Sequence, residues 1–466
     1  METSNHISRR SGLRRMSAGF GMLGLAGMIG QGARAAGGGL HHPARAKRVI
    51  FLFMNGAPSH VDTFDPKPKL RELAGTVPPK DLYRSPSPQS RFMPSPFEFQ
   101  RHGGSGIEVC ETLPRLGAMI DDCCVIRSMH TNVPNHEPGL LMMNTGNIQP
   151  IRPSLGSWAI YGLGTENQNL PGYVVLRPSP NIVVGPALWS NSFLPAQYQA
   201  TSVITSDMAV DKLVANVRNP LLTRGIQSRQ VELIQRMNRL HAERRDNDSA
   251  LEAQIGAMET AFRMQSEAGR TFDIGREPRH IRELYGDSGF GRSCLLARRL
   301  VEDGVRFVSV YYVNSGNQPW DTHSRHNKQH PVLCADSDRA SAALLADLKQ
   351  RGMLDDTLVI WGGEFGRTPY SQVAKKGANM ENNGRDHHAT AFSMLLAGGG
   401  IKGGTIYGAS DELGMNAVEK PVHPHDLHAT VLHLLGIDHE RLTYRWSGRD
   451  FRLTDIHGRI LRDIIA

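Results

Sequence analysis

The chain has 466 residues, of which 39% are hydrophobic and 21% charged, and its formal net charge is +8. This composition is typical of a folded globular protein with room for one large domain or two smaller ones. Five cysteines in a chain of this length exclude a disulfide-framework protein. Residues 1–35 contribute half of the net charge, and no cluster of basic and aromatic residues follows them, which argues against a nucleic-acid partner.

The first 35 residues are predicted to be an export signal of the twin-arginine type. Residues 8–14 contain the paired arginines, residues 16–29 form an apolar, glycine-rich run, and residues 33–35 resemble a cleavage site. The apolar run is too short to span a membrane as a helix. We therefore expect export to the periplasm or the extracellular space, with no stable membrane insertion once the signal is removed.

Beyond the signal, apolar runs alternate with helical patterns. The continuous apolar run at residues 49–54 is typical of a strand buried on both faces. Further strands are predicted at residues 124–126, 173–176, 304–312, 357–361 and 391–397, and helices at residues 113–120, 155–163, 294–302 and 335–351. This alternation predicts one α/β domain over residues 47–466, with a mostly parallel sheet and helices on both faces.

Two segments depart from this alternation. Residues 67–101 are rich in proline and serine, have little periodicity, and are expected to form a long surface excursion. Residues 207–270 are polar, charged and helical in composition, which predicts a helical hairpin inserted into the α/β domain. We expect the charges of this insertion to form a solvated face rather than a binding surface.

Three short motifs rich in acidic residues and histidine adjoin predicted strands. Residues 320–323 follow one strand, residues 362–369 follow the next, and residues 384–388 precede the strand at 391–397. In open α/β sheets, ligands bind beyond the carboxyl ends of the strands. Because aspartate, glutamate and neutral histidine are ligands of divalent metals, the motifs predict a metal site.

The first motif offers a compact pair of ligands. Asp321 and His323 are two residues apart, so in an extended segment their side chains point the same way and can reach one metal ion. His326 and His330 are further imidazoles nearby, and we expect at most one of them to take part. The alternative is a loop in which these side chains bind only backbone groups.

The other two motifs add an acid, an arginine and a further histidine. Glu364 follows two glycines at a strand end, where the absence of side chains lets a ligand approach. Arg367 could bind an oxyanion through two hydrogen bonds, or it could form an ion pair with Glu364 that only ties the loop. His387 follows Asp386, which could fix the imidazole tautomer or be an exposed charge.

Together the motifs resemble a secreted family called domain of unknown function 1501 and, more remotely, the alkaline phosphatase and sulfatase superfamily. The resemblance covers the chain from about residue 47 to the end. It implies an alkaline-phosphatase-like fold and hydrolysis of phosphate or sulfate esters, or action on a related anionic small molecule or polysaccharide. The residues that carry it are 51–59, 62–68, 152–158, 295–300, 364–369 and 384–387.

The resemblance to the superfamily also implies a metal-ligand set. One divalent metal would be held by Asp321, His323 (or His326) and His387, with zinc as the expected ion and manganese or calcium as alternatives. A second metal would use the places held here by Asn55 and by Glu364 followed by phenylalanine. A neutral amide is a weaker ligand and a phenyl ring is none, so one metal is predicted, with Asn55 and Glu364 as candidate additional ligands.

The nucleophile place of sulfatases falls on a histidine. Sulfatases carry cysteine or serine there, a proline two residues later, and threonine and glycine about nine residues later. Pro138 and residues 145–146 fit this register, which puts His136 at the nucleophile place. An imidazole there could attack phosphorus or bind metal, but no formylglycine can form. The catalytic candidates are thus His136, Glu364 as a general base, and Arg367 as an anion-binding group.

A rival interpretation is a non-catalytic, metal-stabilised binding protein of the same fold, for example for extracellular polysaccharide. The replaced ligands of the second metal would then indicate that catalytic activity has been lost. Convergence of Asn55, His136 and Glu364 on the cavity of Asp321 and His387 would favour an enzyme.

Overall fold

The structure is a computed structural model that describes residues 39–80, 86–214, 224–242, 269–314, 318–372 and 382–466. The predicted export signal lies outside the described residues. At the centre of the molecule is an eight-stranded sheet. Its strands in chain order are β1 (Arg48–Phe53), β2 (Cys123–Met129), β3 (Tyr173–Arg177), β4 (Thr201–Ile204), β5 (Phe307–Tyr311), β6 (Thr357–Gly362), β7 (Phe392–Ala397) and β8 (Thr405–Tyr407).

The strands lie side by side in the order β8-β2-β7-β6-β1-β5-β3-β4. All pairings are parallel except those of β7, which runs antiparallel to β2 and to β6. The prediction of a mostly parallel sheet is therefore confirmed. Because β7 runs in the opposite direction, its first residue lies at the edge where β1, β2, β5 and β6 end.

Helices cover both faces of this sheet. On β1, Ile50 and Leu52 pack into one core, whereas Phe51 and Phe53 pack into the other, as the alternation of a strand requires. Both faces are covered, as predicted. The described α-helices are α1 (Lys69–Glu72), α2 (Pro114–Ala118), α3 (His136–Thr145), α4 (Leu155–Leu163), α5 (Val210–Leu213), α6 (Arg224–Ala242), α7 (Arg279–Tyr285), α8 (Gly289–Glu302), α9 (His326–Gln350) and α10 (Pro424–Leu434).

The two cores use different helices. Leu296 of α8 and Leu344 of α9 belong to the first core, and Trp158 of α4 and Leu432 of α10 belong to the second. Four small antiparallel strand pairs lie outside the main sheet. They are Phe99–His102 with Ile107–Cys110, Gly366–Gln372 with Gly384–His388 (the site ribbon), Ala409–Ser410 with Ala417–Glu419, and Tyr444–Trp446 with Arg449–Phe451.

Two expectations about local structure differ from what is observed. Helix α9 begins at His326, well before the predicted start at residue 335. The apolar pattern missed its first two turns because they are polar and contain Pro331, a residue that usually interrupts a helix interior. Residues 67–101 are not a surface excursion throughout. Phe92 is buried, and Met93 N–H donates to the Pro369 carbonyl of the site ribbon at 3.0 Å.

Of the predicted insertion at residues 207–270, the structure describes α5 and α6, and residues 215–223 and 243–268 lie outside the described part. No described helix is long and apolar enough to cross a membrane. All five cysteines are buried and free. Burial raises the pKa of Cys110 and of Cys124 to about 11, so neither is a thiolate at neutral pH.

Candidate metal centre

Four side chains meet at the edge where β1, β2, β5 and β6 end. His136 is the first residue of α3 and follows β2, Asp321 and His323 follow β5, and His387 lies in the site ribbon just before β7. One ligand atom from each of the four lies within 4.8 Å of the others. Among the described residues, these four form the one group of histidines and acids that is spaced closely enough to hold a metal ion.

Asp321 is at the centre of this group. Its Oδ1 lies 2.8 Å from His323 Nε2 and 3.2 Å from the Nε2 atoms of both His136 and His387. Tetrahedral metal bonds of about 2.0–2.2 Å place ligand atoms roughly 3.3–3.6 Å apart. The distances from Asp321 Oδ1 to the three nitrogens are therefore somewhat shorter than, but close to, those between ligands of one tetrahedral metal ion.

The tautomer of each histidine follows from its other ring nitrogen. His136 Nδ1 lies 2.6 Å from Glu364 Oε1, and His387 Nδ1 lies 2.8 Å from the Pro134 carbonyl oxygen. His323 Nδ1 contacts the Gln372 side-chain oxygen. Since a carboxylate and a backbone carbonyl can only accept, Nδ1 of His136 and of His387 must carry a proton, and with the Gln372 amide oriented as it is here so does Nδ1 of His323. A neutral ring then presents the lone pair of Nε2 to the centre, the arrangement found around metal-binding histidines.

Two of these lone pairs lie close together. His323 Nε2 and His387 Nε2 are 3.1 Å apart. Two neutral nitrogens that both direct lone pairs at this distance repel each other, unless a proton or a cation lies between them. The geometry therefore fits a bound cation, and the three nitrogens with one carboxylate oxygen are a donor set suited to zinc.

The electrostatics of the group favour positive charge. Burial opposes protonation of His136, but hydrogen bonds to Asp321 and Glu364 outweigh it and raise its pKa to about 9. Burial would raise the pKa of Asp321, yet the three histidines and Arg367 hold it far below its usual range. Asp321 is therefore ionised, and the proton that His136 holds is one that a metal ion would displace.

Glu364 lies behind His136 and not in the four-residue group. It is buried, and its Oε1 accepts from His136 Nδ1 and, at 3.0 Å, from the Gly56 amide. The structure thus places Glu364 where it orients the His136 ring, whereas the sequence suggested a metal ligand or a general base. Gly56 itself has φ +102, and a Cβ there would lie 2.5 Å from the Asp321 amide nitrogen, so only glycine fits.

Arg367 is fully buried and directed at protein oxygens. Its Nη2 lies 2.5 Å from Asp321 Oδ1 and also contacts the Gly56 carbonyl, and its Nε donates to the Ala57 carbonyl at 3.1 Å. No ion pair joins it to Glu364 in the described structure. The alternative of a loop-tying pair is therefore wrong, and the predicted anion-binding group instead holds the central carboxylate.

Asn55 is buried at the end of β1, beside Gly56. Neither its Oδ1 nor its Nδ2 has a hydrogen-bond partner in the described structure, which is uncommon for buried polar atoms. It does not belong to the four-residue group. A buried amide without partners, next to a backbone segment held by Glu364 and Arg367, is suited to receive a ligand atom.

His326 and His330 lie outside the centre. His326 Nε2 lies 2.9 Å from Asp62 Oδ2, and Arg385 Nε donates to the same oxygen at 2.6 Å. Burial would raise the pKa of Asp62, but Arg385 and His326 hold it well below its usual range. This buried network joins the start of α9 to the site ribbon. Sequence reasoning missed it, although both Asp62 and Arg385 lie in motifs that carried the family resemblance.

The curated proteins include no match to the chain. Among solved structures, it is similar to the PsFucS1 sulfatase from Pseudoalteromonas sp. (12% identity, 85% of this chain and 69% of that chain, TM-score 0.32). It is also similar to the lipoteichoic acid synthase LtaP from Listeria monocytogenes (10%, 94% and 80%, TM-score 0.37). A third is a protein in the alkaline phosphatase superfamily from Vibrio parahaemolyticus (11%, 86% and 70%, TM-score 0.35). At these values the similarities carry no conclusion about activity.

The family comparison is specific. The model described as "Protein of unknown function (DUF1501)" matches residues 46–465, nearly the whole chain beyond the predicted export signal. The matched region contains the sheet, both cores and all four residues of the metal centre. The chain therefore belongs to the DUF1501 family, in agreement with its sequence motifs.

Proposed function

We propose that the protein is an exported, metal-dependent hydrolase of phosphate or sulfate esters, or of a related anionic substrate. One observation carries the proposal: three histidines, each with Nδ1 near an oxygen acceptor, have Nε2 within 3.2 Å of a single carboxylate oxygen. An oxygen acceptor at Nδ1 is the usual second contact of a metal-binding histidine, because it leaves Nε2 free to bind the metal.

The ligands are Asp321, His136, His323 and His387, and zinc is the proposed ion. When bound, a divalent metal supplies Lewis-acid polarisation of an ester oxygen. The rest of the work belongs to the chain itself. Glu364 holds the His136 proton on Nδ1, and Arg367 fixes Asp321, so both act as positioning residues.

Asn55 is the proposed contact for a substrate oxygen. Its Nδ2 is a buried donor without a partner in the described structure. A substrate oxygen could accept from it without displacing any existing hydrogen bond. Asn55 would then contribute a hydrogen bond to the substrate, at a position where the sequence suggested a weak metal ligand.

A second candidate function is the non-catalytic binding protein, and one observation favours it. The four residues of the centre include no hydroxyl or thiol nucleophile, and Arg367 has its donors directed at protein oxygens. Metal binding alone is therefore compatible with both functions. A measurement of ester turnover distinguishes the hydrolase from the binding protein.

The test combines metal analysis with an ester screen. The purified parent should contain about one equivalent of zinc per chain and hydrolyse at least one ester among aryl phosphates, aryl sulfates and phosphate diesters. Asp321→Ala should lose both the metal and the turnover, whereas Asp355→Ala, at an exposed carboxylate, should keep both. A parent without metal contradicts the proposal, and a metal-loaded parent inactive on every ester favours the binding protein.

Export is tested separately. Replacing Arg9 and Arg10 by lysine should retain the protein in the cytoplasm, because the twin-arginine route reads the arginine pair. Cell fractionation of the parent and of the doubly substituted chain measures this. An unchanged distribution would contradict export by that route.

A further inference from the structure

A cavity of about 390 Å³ lies beside the segment that carries Asp321 and His323. Pro319, on one side of it, is two residues before Asp321, and Arg325, on the other side, is two residues after His323. Consecutive Cα atoms are 3.8 Å apart, so each of these residues lies within about 7.6 Å of a proposed ligand, measured between Cα atoms. A substrate that carries further groups beside the reacting ester would therefore extend from the metal centre toward this cavity.

The cavity, which we call the cation pocket, is lined by two unpaired cations. Arg325 and Lys328 are both exposed, and neither side chain has an ion-pair or hydrogen-bond partner in the described structure. The other residues of its wall are Asn314, Pro319, Gln329, Val332 and Leu333, and none is acidic. Among the described residues, the pocket thus has two positive charges and no carboxylate in its wall to neutralise them.

Another cavity of the molecule differs from the cation pocket in how its cations are paired. It has about 530 Å³ and is also rich in arginine, but its wall includes Glu283 and Asp287. Arg279 Nε lies 2.6 Å from Glu283, and Arg292 Nη1 lies 2.9 Å from Asp287. Its wall has four arginines and two carboxylates, so two of its arginines are paired there, whereas neither cation of the cation pocket is paired in the described structure.

The helix that starts at the pocket reinforces this charge. Helix α9 begins at His326, directly after Arg325, and its first turn contains no acidic residue. The positive end of the helix dipole therefore adds to the two side chains. Arg325 has φ +50, a conformation rare for a residue with a side chain, although glycine would adopt it without strain.

We propose that the cation pocket binds a second anionic group of the substrate, a sulfate, phosphate or carboxylate, while the reacting ester lies at the metal centre. The preferred substrates would then be polyanionic, whether small molecules or segments of a charged polysaccharide. The position of the reacting group rests on the proposed function. The affinity of the pocket for an anion does not.

Rigid naphthalene sulfonates test this without requiring turnover. The 2,6- and 1,5-disulfonates carry one more charge than the monosulfonate, and sulfonates do not strip a metal by chelation. We expect the better disulfonate to bind the parent about tenfold more tightly than the monosulfonate, as measured by calorimetry at low salt, since hydrogen bonds to charged groups contribute more than neutral ones and low salt screens them little. Doubly substituted R325Q/K328Q should lose this preference.

Two controls make the result specific. R279Q/R292Q removes the same charge from the other cavity and should keep the preference. Asp321→Ala, which should lose the metal, separates the two proposals, because its cation pocket should still bind the monosulfonate and should lose that binding when R325Q/K328Q is added. Absence of this binding, its persistence after R325Q/K328Q is added, or an intact disulfonate preference in R325Q/K328Q would overturn the assignment of the cation pocket. Equal affinity of the parent for mono- and disulfonates, with monosulfonate binding to Asp321→Ala intact, would instead contradict the placement of the reacting ester at the metal centre.

Discussion

Glu364→Gln tests whether the residue behind His136 supports a metal ligand. Glutamine keeps an oxygen that accepts from His136 Nδ1, now 2.6 Å from Glu364 Oε1, but removes the negative charge. Loss of such a supporting partner typically costs 10–100-fold in metal affinity. At free zinc of 100 times the parent's Kd, zinc stabilises the parent by about 2.7 kcal/mol. By the same relation, the variant should gain only about 0.4–1.4 kcal/mol.

Urea unfolding followed by circular dichroism measures this increment, with zinc buffered in one series and EDTA in the other. Glu277→Gln is the matched control, because Glu277 is also buried and bonded to two arginines, at 2.7 Å in the case of Arg298, and it is not among the metal-centre residues. The control should be less stable in both series and keep the full zinc increment. A full increment of about 2.7 kcal/mol in Glu364→Gln would refute the supporting role.

Three further outcomes are expected. His136→Ala should abolish hydrolysis of a confirmed ester substrate with an unchanged circular dichroism spectrum, and parent-like turnover would mean that His136 is structural. Asp62→Ala leaves Arg385 buried without its carboxylate and should lower the free energy of unfolding by about 3–5 kcal/mol, which urea titration would detect and a change below about 1 kcal/mol would contradict. Burial lowers the pKa of His428 to about 3, so between pH 6.5 and 3 the unfolded chain binds a proton that the folded chain does not. As the pH is lowered through this range, the free energy of unfolding should decrease by about 1.4 kcal/mol per pH unit because of this histidine. His428→Gln should remove that part of the pH dependence.

The sequence was sufficient to locate six of the eight main-sheet strands and to indicate much of the centre. Apolar runs located β1, β2, β3, β5, β6 and β7 within a few residues, whereas the short edge strands β4 and β8 were not predicted. The spacing of Asp321 and His323 predicted that they would share one metal ion. Parallel strands end at one edge, so motifs after different strands meet there. His387 precedes its strand, and only the antiparallel direction of β7, which an apolar run does not encode, explains why it joins the others.

The roles of Glu364 and Arg367 depend on partners distant in sequence. Their position after a strand end predicted that they would lie near the site. Whether each faces the centre or supports a ligand depends on His136 and on the backbone at Gly56, which come from other parts of the chain. Helix α3 was not predicted, since the sulfatase register drew attention to His136 without indicating the helix that carries it.

The five buried thiols give the folded and unfolded forms very different fates in an oxidising compartment. Cys123 and Cys124 are adjacent in β2 and pack into opposite cores, so oxidants reach neither in the native state. Unfolding would expose all five at once, and pairing among them would lock the chain out of its native arrangement. In the proposed oxidising compartment, the lifetime of the protein would then be set by its rate of unfolding. Each unfolding event could become irreversible through disulfide formation.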